Sequence, residues 1–381
     1  MIPSERSHLP VAAFTHPGMK GKNNEDRYAV SAFRLSQNKS TQVLWMIIAD
    51  GVGGHLAGEL AAEMAVEIIS REMAAGDPAH PIDTLRTAIQ RAGSEISARA
   101  VSDTRAEGMS TTCVCAWVIG DRLYAAWVGD SRLYLIRHGK ALRLTTDHTW
   151  VQEAVEKGII TLDQARNHPN AHVLRRHLGS QNGVEPDFRI RTDPEQSDSQ
   201  AEANQGLRLH PGDRLILCSD GLTDLVEDEE ILERLRDKTL DEALPELINL
   251  ANERGGHDNI TVVGLQVPAS RMRSPFGWGM GGLVFLLLLA LVWFGANAWI
   301  DSRLIEQVTA TPSLLPLQQP VIVSTDPFPQ PLATTTPTAF QPTATTPPPP
   351  EATLTIPVMV GTQATYTPWP TSTSLGGSPL P

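Results

Sequence analysis

Asp50, Asp220 and Asp258 share a setting that turn aspartates lack. Asp50 closes the apolar run Leu44-Trp45-Met46-Ile47-Ile48-Ala49 and begins Asp50-Gly51-Val52-Gly53-Gly54. Asp220 follows Arg214-Leu215-Ile216-Leu217-Cys218 within Ser219-Asp220-Gly221. Asp258, in Gly256-His257-Asp258-Asn259, opens Ile260-Thr261-Val262-Val263. Asn24-Glu25-Asp26 and Gly129-Asp130-Ser131-Arg132 are built alike, an acid set against Asn, Gly or Ser. A lone Asp-Gly pair marks a turn. Carboxylates at the ends of buried strands can instead converge on one spot, and a cluster of hard oxygen ligands is tolerable only around a hard divalent cation. The chemistry expected is that of a metal site.

The elements that must position these acids read as α+β. Strand-like runs cover Tyr28–Phe33, Val43–Ala49, Thr111–Ile119, Leu123–Val128, Leu133–Arg137, Arg214–Cys218 and Ile260–Val267. Asp121 and Arg137-His138-Gly139-Lys140 supply hairpin turns, which makes the pairing antiparallel. Two amphipathic helices are expected over Glu59–Ala74 and Thr84–Val101, and Thr239-Leu240-Asp241-Glu242 opens a third that carries Pro245. Asp193–Gln205 is polar and acidic and reads as an exposed loop. Helices grouped apart from runs of strands imply packed sheets with helices outside.

Composition divides the 381 residues. Residues 1–268 read as one globular domain and 269–275 as a juxtamembrane linker. Residues 276–300 hold no charge and, as a helix, would reach about 37 Å. Trp278, Trp293 and Trp299 lie near its ends as interfacial anchors would, so a transmembrane helix is expected. Residues 301–381 hold 17 of the 29 prolines and read as a Pro/Thr-rich disordered tail. Arg271 and Arg273 precede the span, and the positive-inside rule then leads to the expectation of a single-pass cell-membrane protein with residues 1–275 in the cytoplasm and the tail extracytoplasmic. The start, Met1-Ile2-Pro3-Ser4-Glu5-Arg6, offers no apolar signal core. Gly277 and Gly281 form a GxxxG pattern, a weak pointer to a dimer through the span. Nearly all of the net charge of −12 belongs to residues 1–270, which argues against nucleic acid as a partner. Cys113, Cys115 and Cys218 sit in apolar runs as buried reduced thiols, not as disulfides or zinc ligands.

From about His16 to Val267 the motifs resemble the metal-dependent serine/threonine protein phosphatases of the type-2C (PPM) family, bacterial branch. The resemblance is carried by Asn23-Asn24-Glu25-Asp26, Ala49-Asp50-Gly51-Val52-Gly53-Gly54-His55, Gly108-Met109-Ser110-Thr111-Thr112 and Gly129-Asp130-Ser131-Arg132. It continues through Leu144-Thr145-Thr146-Asp147-His148, Cys218-Ser219-Asp220-Gly221-Leu222 and His257-Asp258-Asn259-Ile260-Thr261. It implies an antiparallel β-sandwich flanked by helices, four layers ordered αββα, with two Mn²⁺ or Mg²⁺ ions at one edge. By the same resemblance Asp50 bridges the two ions, the Gly51 carbonyl and the carboxylates of Asp220 and Asp258 complete their protein ligands, and Asp26 joins directly or through water. Asp130 matches the acid that holds a third ion. The implied reaction is hydrolysis of phosphoserine and phosphothreonine on proteins by a water that the cations activate, with Ser/Thr kinases as functional counterparts.

Two positions depart from the family pattern. Gly21 stands where many members place a phosphate-gripping arginine, leaving Lys20 and Lys22 as the adjacent cations. Val52 stands where some members carry a histidine proposed as general acid; His55, His148 and His257 read as structural hydrogen bonders. Residues 146–180, with Arg175 and Arg176, correspond to the family's variable flap. Two other readings use the same residues: a phosphoprotein-binding or sensor module, and a phosphatase of small metabolites. The complete acidic set favours catalysis.

Overall fold

A computed structural model describes residues 1–21, 23–35, 41–52, 56–166, 168–269 and 289–296. Residues 1–269 and 289–296 fall in separate units. In the first, strands β1 (Ile2–Ser4), β2 (Val11–His16), β3 (Arg27–Arg34), β4 (Gln42–Ala49) and β5 (Gly51–Val52) precede helices α1 (Leu56–Ala75) and α2 (Pro81–Ser102). Next come β6 (Ser110–Thr111), β7 (Cys113–Ile119), β8 (Arg122–Val128), β9 (Arg132–Arg137) and β10 (Lys140–Arg143). Helices α3 (Trp150–Glu156), α4 (Leu162–Arg166) and α5 (Asp198–Ala203) lead to β11 (Leu207–Arg208) and β12 (Arg214–Cys218). The unit ends with α6 (Asp220–Thr223), α7 (Asp228–Leu235), α8 (Leu240–Glu253) and β13 (Ile260–Gln266).

The strands form a six-stranded sheet, β1-β3-β4-β7-β8-β11, and a five-stranded sheet, β10-β9-β12-β13-β2, with β5 and β6 paired apart. Every pairing is antiparallel. Alternation along each strand builds the layers. In β4, Leu44, Met46 and Ile48 face the sandwich interior with Val114, Ala116, Leu215, Leu217, Val263 and Leu265. Trp45, Ile47 and Ala49 point the other way, onto Ala61, Ala65, Ile69, Leu85 and Ile89 of α1 and α2. The second sheet turns Ile216, Cys218 and Val262 outward onto Leu240, Leu244, Leu247 and Ile248 of α8. Each such buried aliphatic side chain is worth roughly 1.5–3 kcal/mol. Strands covered on both faces need apolar residues at every position, which is why they appear in the sequence as unbroken runs. The expected four layers, αββα, are present.

Turn chemistry fixes register. Lys140 pairs with Arg137, leaving His138 and Gly139 as a two-residue turn, both with positive φ as a type I′ hairpin requires. Pro245 does not end α8, which runs on to Glu253. One expectation is corrected: Asp193–Gln205 is not all loop. It holds α5, started by a capping box in which Ser197 and Gln200 satisfy each other's backbone N–H.

The second unit contributes helix 289–296, with Leu289, Leu291, Val292, Trp293 and Phe294 exposed. Among the described residues no helix is long and apolar enough to cross a membrane. The remainder of the span expected over 276–300, including Gly277 and Gly281, lies outside the described residues, as do 270–275 and the tail.

Candidate metal centre and active site

The five predicted aspartates come from four strand ends and one inter-strand loop. Asp26 precedes β3, Asp50 follows β4, Asp130 lies between β8 and β9, Asp220 begins α6 after β12, and Asp258 sits two residues before β13. Local hydrogen bonds hold each segment. Thr111 Oγ1 and the Thr112 N–H both donate to the Asp50 carbonyl, at 2.8 and 2.9 Å, while the Asp50 N–H donates to Thr112 Oγ1 at 3.1 Å. Thr112 Oγ1 also meets Ser131 Oγ at 2.9 Å, tying Asp50 to the loop that carries Asp130. Thr111 and Thr112 are therefore positioning residues, as their strand setting suggests.

Asp26 is 1% exposed. Ser219 Oγ donates to its Oδ2 at 2.8 Å and itself accepts the Thr261 N–H at 3.0 Å, so one hydroxyl locks three segments together. Asn259 does the same for the loop before β3. Its Nδ2 donates to the carbonyls of Pro17 and Asn23, each at 3.1 Å, and its Oδ1 accepts the Glu25 N–H at 2.7 Å. Arg27 donates to the carbonyls of Asn24 and Asp26 and pairs with Glu59 of α1.

Two glycines permit the close packing. A Cβ on Gly51 would lie 2.2 Å from the Gly58 carbonyl oxygen, and one on Gly221 would lie 2.1 Å from that of Asn259. The first contact presses α1 against the strand that carries Asp50, and the second presses Asp220 toward Asp258. This packing against protein backbone is a reason for glycine at position 51 distinct from any approach to a metal.

The carboxyl groups feel one another strongly. Burial raises the Asp50 carboxyl well above its usual range, and Asp26, Asp220 and Asp130 raise it further. Burial with Asp220 and Asp258 nearby pushes Asp26 up to about 7. Asp130 is raised by burial, Asp220, Asp147 and Asp224, and Asp220 by burial and Asp258. Asp26 Oδ1 is buried without a hydrogen-bond partner among the described residues. Anions cannot be gathered this way without a compensating positive charge. Hard carboxylate oxygens, one of them buried and unpartnered, are the donor set that divalent Mg²⁺ or Mn²⁺ takes.

The structure adds two residues that sequence reasoning missed. Asp224 caps α6 one turn after Asp220, and burial beside Asp220 pushes its carboxyl up to about 7. His172 reaches the same place from the flap, with Nδ1 3.4 Å from Asp224 Oδ2. Ligating atoms of His172, Asp220 and Asp224 all lie within 4.8 Å of one another. The four-residue spacing in Asp220-Gly221-Leu222-Thr223-Asp224 was a visible signal for the carboxylate; nothing local marks the histidine.

The lysines fare differently. Lys20 is exposed and makes no ion pair among the described residues, and Lys22, Gly53, Gly54 and His55 lie outside them. His148 is structural, as expected: its Nδ1 accepts the Gly129 N–H at 3.0 Å, leaving Nε2 to donate to Asp187 at 3.2 Å. His257 is exposed. Arg175 donates to Glu153. Cys113, Cys115 and Cys218 are buried free thiols, and burial pushes Cys218 up to about 12.

The chain is similar to known proteins in sequence and in fold. The family model for Protein phosphatase 2C matches residues 18–258. The serine/threonine phosphatase Stp of Listeria monocytogenes is 38% identical over 254 residues, covering 65% of this chain and 92% of that protein. PstP of Mycobacterium tuberculosis is 36% identical over 258 residues, 67% of this chain but 44% of its own length. Among solved structures, the S. agalactiae serine/threonine phosphatase superposes with a TM-score of 0.59 at 32% identity, covering 68% of this chain and all of that one. The PstP catalytic domain in complex with 2 manganese ions superposes at 0.55 with 33% identity, covering 68% and 98%. The chain belongs to the protein phosphatase 2C family, and is a serine/threonine protein phosphatase of the bacterial Stp and PstP kind.

Proposed function

We propose that the chain is a membrane-anchored phosphatase that hydrolyses phosphoserine and phosphothreonine on proteins with two Mn²⁺ or Mg²⁺ ions. The observation that carries this reading is the convergence of Asp26, Asp50, Asp220 and Asp258 from separate elements, close enough that Asp220 and Asp258 raise Asp26 and Asp26 and Asp220 raise Asp50, with Asp26 Oδ1 unpartnered among the described residues. These four carboxylates and the Gly51 carbonyl would hold the ions, and Asp130 borders a further position. Bound there, the ions supply Lewis-acid neutralisation of phosphoryl charge and a water acidic enough to act as nucleophile near neutral pH.

The chain's own residues do the positioning. Ser219 and Thr261 fix Asp26, and Thr111 and Thr112 fix Asp50. A thiol nucleophile finds no support, because Cys218 is fully buried and its raised pKa keeps it protonated. Lys20, exposed beside the loop before β3, is a candidate cation for the substrate phosphate in place of a bidentate arginine. The uncharged run 276–300 with its preceding arginines supports a single cell-membrane anchor, a cytoplasmic catalytic domain and an external tail.

The test is turnover by the purified full chain of phosphothreonine and phosphoserine peptides, beside phosphotyrosine peptides and a panel of phosphorylated metabolites, with Mn²⁺ or EDTA. Mn²⁺-dependent release confined to the first two classes supports the proposal. Preference for a metabolite would overturn the substrate class.

A further inference from the structure

One side chain before β3 sets the direction of a buried row of hydroxyls. Asn24 Oδ1 accepts the Asp26 N–H at 3.1 Å, and Asn24 Nδ2 donates to Thr15 Oγ1 at 2.8 Å. The amide cannot be turned over, because its NH₂ would then face the Asp26 N–H, donor against donor. Thr15 Oγ1 lies 2.7 Å from Thr261 Oγ1, its cross-strand partner between β2 and β13. If Thr15 donates to Thr261, the Thr261 proton is free for the Asp26 carboxyl. Burial raises that carboxyl, and the hydroxyls of Thr261 and Ser219 act against the rise. In the reverse direction the Thr15 proton has no acceptor among the described residues, and Thr261 turns a lone pair toward a carboxylate. Only the first arrangement gives every proton an acceptor.

We propose that Asn24, Thr15 and Thr261 form a one-way chain of donors that fixes the Asp26 carboxylate for a cation. Thr15 and Asn24 are then positioning residues, although neither side chain reaches that carboxylate. The chain spans the sandwich: β2 and β13 belong to the five-stranded sheet, whereas Asp26 leads into β3 of the six-stranded one. Ser219, just after β12, closes the bracket by accepting the Thr261 N–H and donating to Asp26 Oδ2. Hydroxyl protons from one sheet therefore hold a carboxylate supplied by the other. Asp26 Oδ1 is left buried without a hydrogen bond among the described residues, open to a cation. A carboxylate ligand held in this way is ordered before the metal arrives, and such outer partners set affinity. Packing alone does not call for the pair, because two valines would fill a cross-strand position as well as two threonines.

The inference rests on the two-ion reading above, and the experiment keeps the two apart. The full chain is titrated with Mn²⁺ in the absence of substrate, and free ion is followed by electron paramagnetic resonance. Valine keeps the branched shape and strand preference of threonine and removes the hydroxyl. Thr261→Val should weaken Mn²⁺ binding by about tenfold or more, and Thr261→Ser, which keeps the donor, should restore most of it. Thr15→Val should weaken binding by about three- to tenfold on its own and add almost nothing to Thr261→Val. Asn24→Asp gives Thr15 an acceptor in place of a donor and so reverses the chain. It should weaken Mn²⁺ binding, whereas the added negative charge acting through its field alone would tighten it.

Wild-type affinity in folded Thr261→Val or Thr15→Val would overturn the inference and leave the two-ion reading in place. Tighter binding by Asn24→Asp, or additive losses in the double valine variant, would do the same. A wild-type chain that binds no Mn²⁺ tightly would overturn the two-ion reading and this inference with it.

Discussion

At the scale of single residues, the site is defined by carboxyl groups that resist ionising together. Asp26, buried and beside Asp220 and Asp258, has its carboxyl raised to about 7 from an ordinary value of 3.8. A carboxyl raised on folding favours the native state while protonated, and that advantage is lost as pH climbs from the unfolded value through the folded one. Asp50 and Asp130 are raised in the same direction. In EDTA the melting temperature should therefore fall between about pH 5 and pH 7.5, whereas apparent Mn²⁺ affinity should rise over the same window as the cation displaces protons. Calorimetric scans at several pH values, with and without Mn²⁺, check both signs. The acids at strand ends were legible in the sequence because an apolar run stopping at Asp is unusual. Asp224 was legible only in hindsight, from its spacing to Asp220. His172 was not, because its partners lie about fifty residues away in sequence and no local pattern encodes a contact of that range.

At the scale of elements, close packing and loop brackets hold the acids in place. Gly51→Ala would drive a methyl into the Gly58 carbonyl, so it should destabilise by roughly 1–3 kcal/mol as overpacking does and shift Asp50. Urea melts with parallel Mn²⁺ titration should show both losses. Replacing His148 leaves the Gly129 N–H without its acceptor, while Asp187 keeps its pairing with Arg189. His148→Ala should cost about 1–3 kcal/mol, and His148→Asn, whose Oδ1 can accept from Gly129, should recover part of it. The inner strands of both sheets, β3, β4, β7, β8, β9, β12 and β13, were readable because burial on two faces forces continuous apolar runs, whereas the short edge strands β1, β10 and β11 were not. Strand β2 was not, since Phe14, Thr15 and His16 are only half buried and the segment lies at a sheet edge. Helix α5 was hidden by composition: a short polar helix at the surface needs only its cap, and its acidic residues resemble those of a loop.

At the scale of the whole molecule, the sequence divides the chain more sharply than the fold alone does. A catalytic unit is followed by an uncharged stretch and a Pro/Thr-rich tail, an arrangement that suits a phosphatase tethered beside membrane-bound substrates. The full chain expressed in a bacterial cell should sediment with membranes and resist extraction by high salt, and external protease on intact cells should remove the tail but spare residues 1–268. Release by salt would contradict the anchor. The central claim, that converging aspartates hold the cations on which hydrolysis depends, is tested most directly by phosphate release from a phosphothreonine peptide by wild type and Asp220→Ala, each with saturating Mn²⁺. The account predicts metal-dependent turnover in wild type and a loss of about a hundred- to ten-thousand-fold in the variant, the several kcal/mol that a correctly held cation contributes. A folded Asp220→Ala chain that turns over at the wild-type rate would contradict it.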